Sequence, residues 1–209
     1  MKRLIVLGAG GHGAVVADIA SIVWPAAQIA FLDDRHPGLT SVWDWPVLGP
    51  LSTLETHVDA DTAFLVGIGN NTVRGQWIGK IHSLGGVVQT LIHPSAVVSV
   101  RSSLGAGTVV LANAVVQIGA RIGKGGIINT AAVVEHDCVV GDAVHICPQV
   151  ALAGNVTVGD RSTLGVGSSV RQGIVIGRDV VLGAASAVVQ NIPDDTLAYG
   201  VPAKIKLEN

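Results

Sequence analysis

The chain has 209 residues, enough for one large domain or two small ones. Thirteen Lys and Arg against fifteen Asp and Glu leave a formal charge of −2, which offers no basic footprint for a nucleic acid. Trp24, Phe31, Trp43, Trp45, Phe64 and Trp77 all precede residue 80 and only Tyr199 follows, so the composition changes near residue 90 and two domains are expected, 1–90 and 91–209.

The opening MKRLIVLGAG carries a short apolar run into a glycine turn, not a signal-peptide cleavage site, and no apolar stretch reaches the roughly 18 residues of a membrane span. A soluble cytoplasmic protein without a membrane partner is the expectation. Residues 3–8 read as a buried strand, residues 13–23 as a helix with Val15, Val16, Ile19, Ile22 and Val23 apolar, and Gln28–Leu32 as a second strand. Between the first strand and the helix lies Gly8-Ala9-Gly10-Gly11-His12-Gly13, with G-x-G-x-x-G spacing, and Asp33 stands twenty residues beyond Gly13. Glycines let a phosphate approach the backbone, and a helix N-terminus offers unpaired N–H groups. A domain ending near residue 90 has room for three or four strands, one mononucleotide-binding half, whereas a dinucleotide spans two. A nucleotide-sugar is therefore expected ahead of NAD, with a purely structural glycine turn as the bland alternative. His12 is either an exposed turn residue or a ligand contact; the contact is expected.

Residues 35–55, rich in Pro, Gly and Trp, read as an irregular connection. Residues 62–67 form a third strand running into Gly67-Ile68-Gly69-Asn70-Asn71, a second glycine turn that places Gly69 and Asn70 beside the first loop, where open α/β sheets bind ligands. Arg74 on the next helix is read as reaching a phosphate or lying on a solvated face. Residues 87–92 form a last strand that leads through His93-Pro94 into the second domain.

From Ile92 through Val188 every sixth residue is Leu, Ile or Val, and four places after each stands a mostly small residue, as in Ala96, Ser102, Thr108 and Ala114. This period fits neither a free helix nor an alternating strand, but it fits a solenoid of three short strands per coil, six residues per side and eighteen per turn. Gly105, Gly123, Gly141, Gly159 and Gly177 recur at the coil interval, as do Gly165 and Gly183, and are expected to supply positive φ at tight corners. Cys138 and Cys147 are nine residues apart in positions that suit a small group, so free packing thiols are expected over a disulfide. The run resembles the hexapeptide-repeat acyltransferases, which fold as left-handed parallel β-helices; the resemblance supplies the handedness, since crossovers are otherwise right-handed.

With GAGGHG, FLDD and GIGNN ahead of the coils and GVPAK after them, the whole chain resembles the sugar acetyltransferase family, which includes N-acetyltransferases of nucleotide-linked 4-amino-4,6-dideoxysugars and relatives that are sialic acid O-acetyltransferases. The resemblance implies an α/β Rossmann-like half-domain followed by a left-handed β-helix, an acetyl-CoA cosubstrate, no metal, and a homotrimer with active sites between adjacent prisms. It assigns the nucleotide-sugar to Gly10, Gly11 and His12, to Asp33 and Asp34, and to Gly69. Gly10 stands where relatives often carry Ser, so one hydroxyl contact is missing here.

In the coils, Val134-Glu135-His136-Asp137-Cys138 is the one place where two carboxylates flank a histidine. His136 lies two places past an inward valine, so it is expected at an outward corner. Acetyl transfer to an amine needs a base to free the nitrogen lone pair, and a histidine beside a carboxylate supplies one. Asp137 is the first choice of partner and Glu135 the second; a solvated polar corner is the alternative. The family match implies that His145 contacts the acetyl group. Gly154, eighteen residues after His136, leaves space at the same corner one coil later. Val166 and Ala184, also eighteen apart, suit the amide-bearing arm of coenzyme A, and Lys204 in the terminal motif suits a CoA phosphate. A zinc-binding carbonic-anhydrase-like trimer shares this β-helix, and His136-x-Cys138 with His145-x-Cys147 invites the comparison. Cys138, however, occupies an inward position, and only two histidines follow Val98. A non-catalytic scaffold is disfavoured by the polar cluster Asn129, Glu135, His136, Asp137 and His145.

Overall fold

The structure, a computed structural model, describes residues 1–206. It divides into two compact units, residues 1–91 and the residues from Ile92 onward.

The first unit is a twisted α/β sheet built from β1 (Arg3–Leu7), α1 (Gly11–Val23), β2 (Gln28–Leu32), β3 (Ser41–Val42), β4 (Trp45–Gly49), β5 (Thr62–Val66), α2 (Asn71–Ser83) and β6 (Val87–Val88). The sheet order is β3-β4-β2-β1-β5-β6, parallel throughout except for β3. Successive crossovers from β1 go to opposite sides, so a crevice opens where the order reverses. Leu7 is in register with both Leu32 and Val66, so β1, β2 and β5 end level and their following loops emerge side by side. The near-continuous burial of β1 and β5 is what a parallel sheet covered on both faces requires. Two sequence expectations change here. The segment 35–55 holds the β3–β4 hairpin and the start of a 3-10 helix at Leu51–His57, and is not irregular. The run 87–92 is two strands, β6 in this sheet and Leu91–Ile92 in the first sheet of the coils.

The second unit is a left-handed parallel β-helix whose three faces are stacks of two-residue strands. Residues eighteen apart face each other, as Val133 with Ala151 and Ile146 with Leu164. From Val110 to Val188 the sixfold aliphatic column is buried, and the small column, including Ala114, Ala120, Ala132 and Cys138, is fully buried with it. Apolar burial at roughly 25 cal/mol per Å² is the main stabilising term here, because the corners between strands contribute little regular hydrogen bonding of their own.

The recurrent glycines do a different job from the one expected of them. The left-handed corner lies three residues after each inward aliphatic, at Asn113, Ala131, Asp137, Ala143, Gln149, Asn155, Arg161, Asp179 and Ala185 with φ between 51 and 61°, and Gly fills it at Gly107, Gly119, Gly125, Gly167 and Gly173. Gly105, Gly123, Gly141, Gly159 and Gly177 are not among the positive-φ residues. They are glycines because the next coil leaves no room: a Cβ on Gly105 would sit 2.6 Å from the carbonyl carbon of Gly123, and one on Gly123 2.6 Å from that of Gly141.

Candidate functional site

In the first unit the loop after β1 enters α1 directly. Gly10 is the N-cap and offers no side chain, and no acidic residue occupies the first turn, so the helix presents its free N–H groups and positive dipole end unmasked. Helix α1 begins at Gly11, two residues earlier than the sequence suggests. Glycines in these loops fall into two sets. Gly8, Gly13 and Gly67 are required by packing: a Cβ on Gly67 would lie 2.5 Å from the Cα of Gly13, and one on Gly8 2.6 Å from Cγ1 of Ile68. Gly10, Gly11 and Gly69 meet nothing within 4 Å, so their lack of a side chain serves no neighbour in the fold. All three are exposed.

Asp33 lies at the end of β2, and its Oδ2 accepts from the Ala9 amide at 2.7 Å. The Arg35 side chain donates to both oxygens, Nε to Oδ1 at 2.8 Å and Nη2 to Oδ2 at 3.0 Å. These bonds, led by the Arg35 guanidinium, hold the Asp33 carboxyl at about 2, well below its ordinary value. Arg35 was invisible as a site residue in the sequence, although a guanidinium two residues from a carboxylate is a plain signal. Asp34 Oδ1 accepts from the Leu51 amide at 2.8 Å and so anchors the 3-10 helix. Asn70 caps α2 by accepting from the Val73 amide at 3.0 Å.

His12 is half-buried, with Nε2 shielded from solvent. Burial, assisted by the nearby Arg74 charge, lowers its pKa to about 4, so the ring is neutral near pH 7. Arg74 is neither a solvated residue nor a phosphate arm, as the sequence led us to expect. It is 1 % exposed and donates through Nη1 to the carbonyls of Ile68 and Gly69 at 3.1 and 3.0 Å and through Nη2 to Asn71 Oδ1 at 2.7 Å. Its task is to hold the second glycine turn in shape.

In the coils, His136 and Asp137 project from one corner, both exposed, with Nδ1 of His136 2.9 Å from Oδ2 of Asp137. Asp137 occupies the left-handed position at φ 58°, which an Asp tolerates better than most residues. The contact leaves Nε2 as the basic nitrogen when Nδ1 carries the proton toward the carboxylate. Glu135 takes a lesser part: its Oε2 accepts from the His136 amide at 3.3 Å. Gly154 does not leave a void. The His136 ring lies against it, and a Cβ there would stand 2.5 Å from Cε1 of His136 and closer still to Nε2. Gly119, one coil before Asp137, has the same relation to the carboxylate, since a Cβ there would overlap Oδ1 and lie 3.3 Å from Cγ.

His145 is half-buried on a neighbouring strand, and its Nε2 lies 3.0 Å from Nδ2 of Asn129. The Asn129 Oδ1 accepts from the Thr130 amide at 2.8 Å, which orients the amide group so that Nδ2 faces the ring. Nε2 of His145 is therefore an acceptor and the ring proton sits on Nδ1. Val166 and Ala184 are exposed and adjacent along the axis, with the Ala185 amide donating to the Val166 carbonyl at 2.8 Å. Lys204 is exposed on Lys204–Ile205, which pairs antiparallel with Leu197–Tyr199 at the last coil. Cys138 is fully buried, its thiol donating to the Ala153 carbonyl at 3.2 Å and its pKa raised by burial. Among the described residues no group of His, Cys, Asp and Glu is arranged to hold a metal ion, and no helix is long and apolar enough to cross a membrane.

Residues 3–81 match the PglD N-terminal domain family. A curated relative, the UDP-N-acetylbacillosamine N-acetyltransferase of Bacillus subtilis (strain 168), is 39 % identical over 113 residues, 54 % of this chain; the match spans 52 % of the relative's length. The acetyltransferase domain of PglB from Neisseria gonorrhoeae FA1090, also solved in complex with acetyl coenzyme A, is 41 % identical with a TM-score of 0.95, over 99 % of this chain and 100 % of that one. PerB from Caulobacter crescentus, in complex with CoA and GDP-perosamine, is 39 % identical with a TM-score of 0.92, over 98 % of this chain and 97 % of that one. Identity at this level along essentially the whole length, through both units, means that the chain belongs to the sugar N-acetyltransferase family of hexapeptide-repeat acyltransferases.

Proposed function

We propose that this chain transfers the acetyl group of acetyl-CoA to the amino group of a nucleotide-linked 4-amino-4,6-dideoxysugar, with His136 as general base. The observation that carries this reading is the His136–Asp137 contact at an exposed corner, with the ring lying on Gly154. Nε2 of His136 takes a proton from the amine as the nitrogen attacks the thioester carbonyl; the C–N bond forms, the C–S bond breaks, and CoA leaves as the thiolate that a proton then neutralises. Asp137 holds the ring and stabilises the imidazolium, with Glu135 beside it. His145, held by Asn129, lies where the family places the acetyl group, and Gly154, Val166, Ala184 and Lys204 receive the CoA arm.

The N-terminal unit holds the nucleotide end of the acceptor. Phosphates meet the free amides at the start of α1, over Gly10 and Gly11, and Gly69 and Asn70 border the same crevice; Asp33, Asp34 and His12 shape the loops around it. The names of the relatives support a nucleotide-linked amino sugar as acceptor. Active sites between prisms of a homotrimer complete the proposal. The test is to supply acetyl-CoA with UDP-, dTDP- and GDP-linked 4-amino sugars and with sialic acid, following thiol release and the product by NMR. An N-acetylated nucleotide-sugar is the expected product. Acetylation of sialic acid hydroxyls alone would replace the reading by an O-acetyltransferase, and light scattering that shows an active monomer would remove the shared site.

A further inference from the structure

The proposed acceptor carries a flat base, and the acidic pair first expected to recognise it is largely engaged. Both oxygens of Asp33 accept from Arg35 and Ala9, and one oxygen of Asp34 holds the Leu51 amide. A different surface in the same unit has the chemistry of a base site. Between α1 and the β3–β4 hairpin lies a cleft of about 410 Å³ lined by Ala14, Val15, Asp18, Trp43 and Trp45.

Trp43 is 81 % exposed and adopts φ 51° at the hairpin turn, a position that Gly, Asn or Asp usually fills. A bulky residue held in that conformation, with its ring in water, gains nothing for the fold that a glycine would not give more cheaply. Trp45 is fixed from beneath, its ring edge-on to Phe31 of β2 with centroids 6.4 Å apart and planes at 64°. The helix side of the cleft starts close to the anion site. Ala14 and Val15 follow Gly11 by three and four residues, about 6 Å along the axis at most, a span suited to a ribose between phosphate and base.

We propose that this cleft receives the base of the nucleotide-linked acceptor, stacked on Trp43 and Trp45 with a ring N–H directed at the Asp18 carboxylate. Every nucleobase has a face that stacks on an indole, so the tryptophans bind without selecting. Selection falls to Asp18, which accepts hydrogen bonds: guanine offers two N–H groups on one edge, uracil and thymine one. This inference rests on the nucleotide-linked acceptor proposed above.

The test uses the full-length protein and calorimetric titration with UDP, dTDP, GDP and inorganic pyrophosphate. Because Trp43 is exposed, Trp43→Ala is expected to fold normally and to lose about fivefold to hundredfold in nucleoside diphosphate affinity, the usual weight of one stacked base. Pyrophosphate affinity should not change, and KM for the nucleotide-sugar should rise in step with the lost affinity. Asp18→Asn should weaken GDP more than UDP or dTDP. Unchanged nucleotide affinity in Trp43→Ala, in an enzyme that still acetylates a nucleotide-sugar, overturns the base site and leaves the activity standing. Altered oligomeric state with unchanged affinity also overturns it, making the cleft a contact between copies. A wild-type protein that binds no nucleotide removes both this inference and the nucleotide-linked acceptor.

Discussion

A Cβ placed on Gly123 would lie 2.6 Å from the Gly141 carbonyl carbon of the next coil, whereas a Cβ on Gly10, Gly11 or Gly69 would meet nothing within 4 Å. The coils use glycine because their own backbone crowds the position. The loops of the first unit use it where the fold has no such need, which is the signature of a surface that a ligand approaches. The same letter in the sequence therefore stands for two causes, and only the neighbourhood of the missing Cβ separates them. Gly154 joins the two cases: it is crowded, but by the ring of the proposed base and not by backbone.

Gly154→Ala should have the largest effect. Its methyl would displace the His136 ring, so kcat is expected to fall about 10²–10⁴-fold, the loss typical of removing a general base. Thermal unfolding should change little, since the displaced ring is exposed. A mutant with near-normal kcat would show that the seat of the ring on Gly154 is irrelevant to turnover.

Next comes acid stability of the first unit, which asks how much of the glycine loop belongs to the fold. His12 titrates at about 4 in the folded protein against 6.5 ordinarily. Between these values the unfolded chain takes a proton that the folded chain refuses, so stability is complete above about 6.5, falls as the pH drops toward 4, and levels off below. The full effect is up to about 3 kcal/mol. Asp33 acts in the same direction but lower, its contribution present above 3.8 and lost as pH falls through about 2. Urea unfolding of His12→Asn followed against pH should lack the upper window and keep the lower one.

Gly123→Ala should destabilise the coils by about 1–3 kcal/mol, because backbone and not a flexible side chain must move. A lowered urea midpoint with an unchanged slope is the expected observation. The smallest effect belongs to Gly10→Ala, which should leave the unfolding midpoint where it is and weaken nucleotide binding about tenfold by crowding the phosphate site. If Gly10→Ala destabilises the protein as Gly123→Ala does, the distinction between the two kinds of glycine collapses.

The β-helix was legible because a period of six repeated from Ile92 to Val188 leaves little else for the chain to be. Its corners were not, since the left-handed position accepts Ala131, Gln149 and Arg161 as well as Asn and Asp, and carries no compositional mark. The β3–β4 hairpin escaped notice for a related reason: its turn is Trp43-Asp44, without the glycine that usually betrays one. Arg74 misled because a buried guanidinium bonded to carbonyls looks, as a letter, like an exposed charge. At the site, eighteen-residue arithmetic links His136 to Gly154, and the same step back from Asp137 reaches Gly119, which was overlooked. The Asn129–His145 bond spans sixteen residues, off the repeat, and no counting rule points to it.

The most direct measurement is the steady-state turnover of His136→Ala with acetyl-CoA and a nucleotide-linked 4-amino sugar, followed from neutral to alkaline pH. At neutral pH kcat should fall about 10²–10⁴-fold while KM for acetyl-CoA changes little. Raising the pH should recover part of the loss, because free amine then forms without help from the protein. Near-normal turnover in His136→Ala at neutral pH would contradict the assignment of the base and direct attention to His145, and a loss that no alkalinity relieves would contradict an amine acceptor.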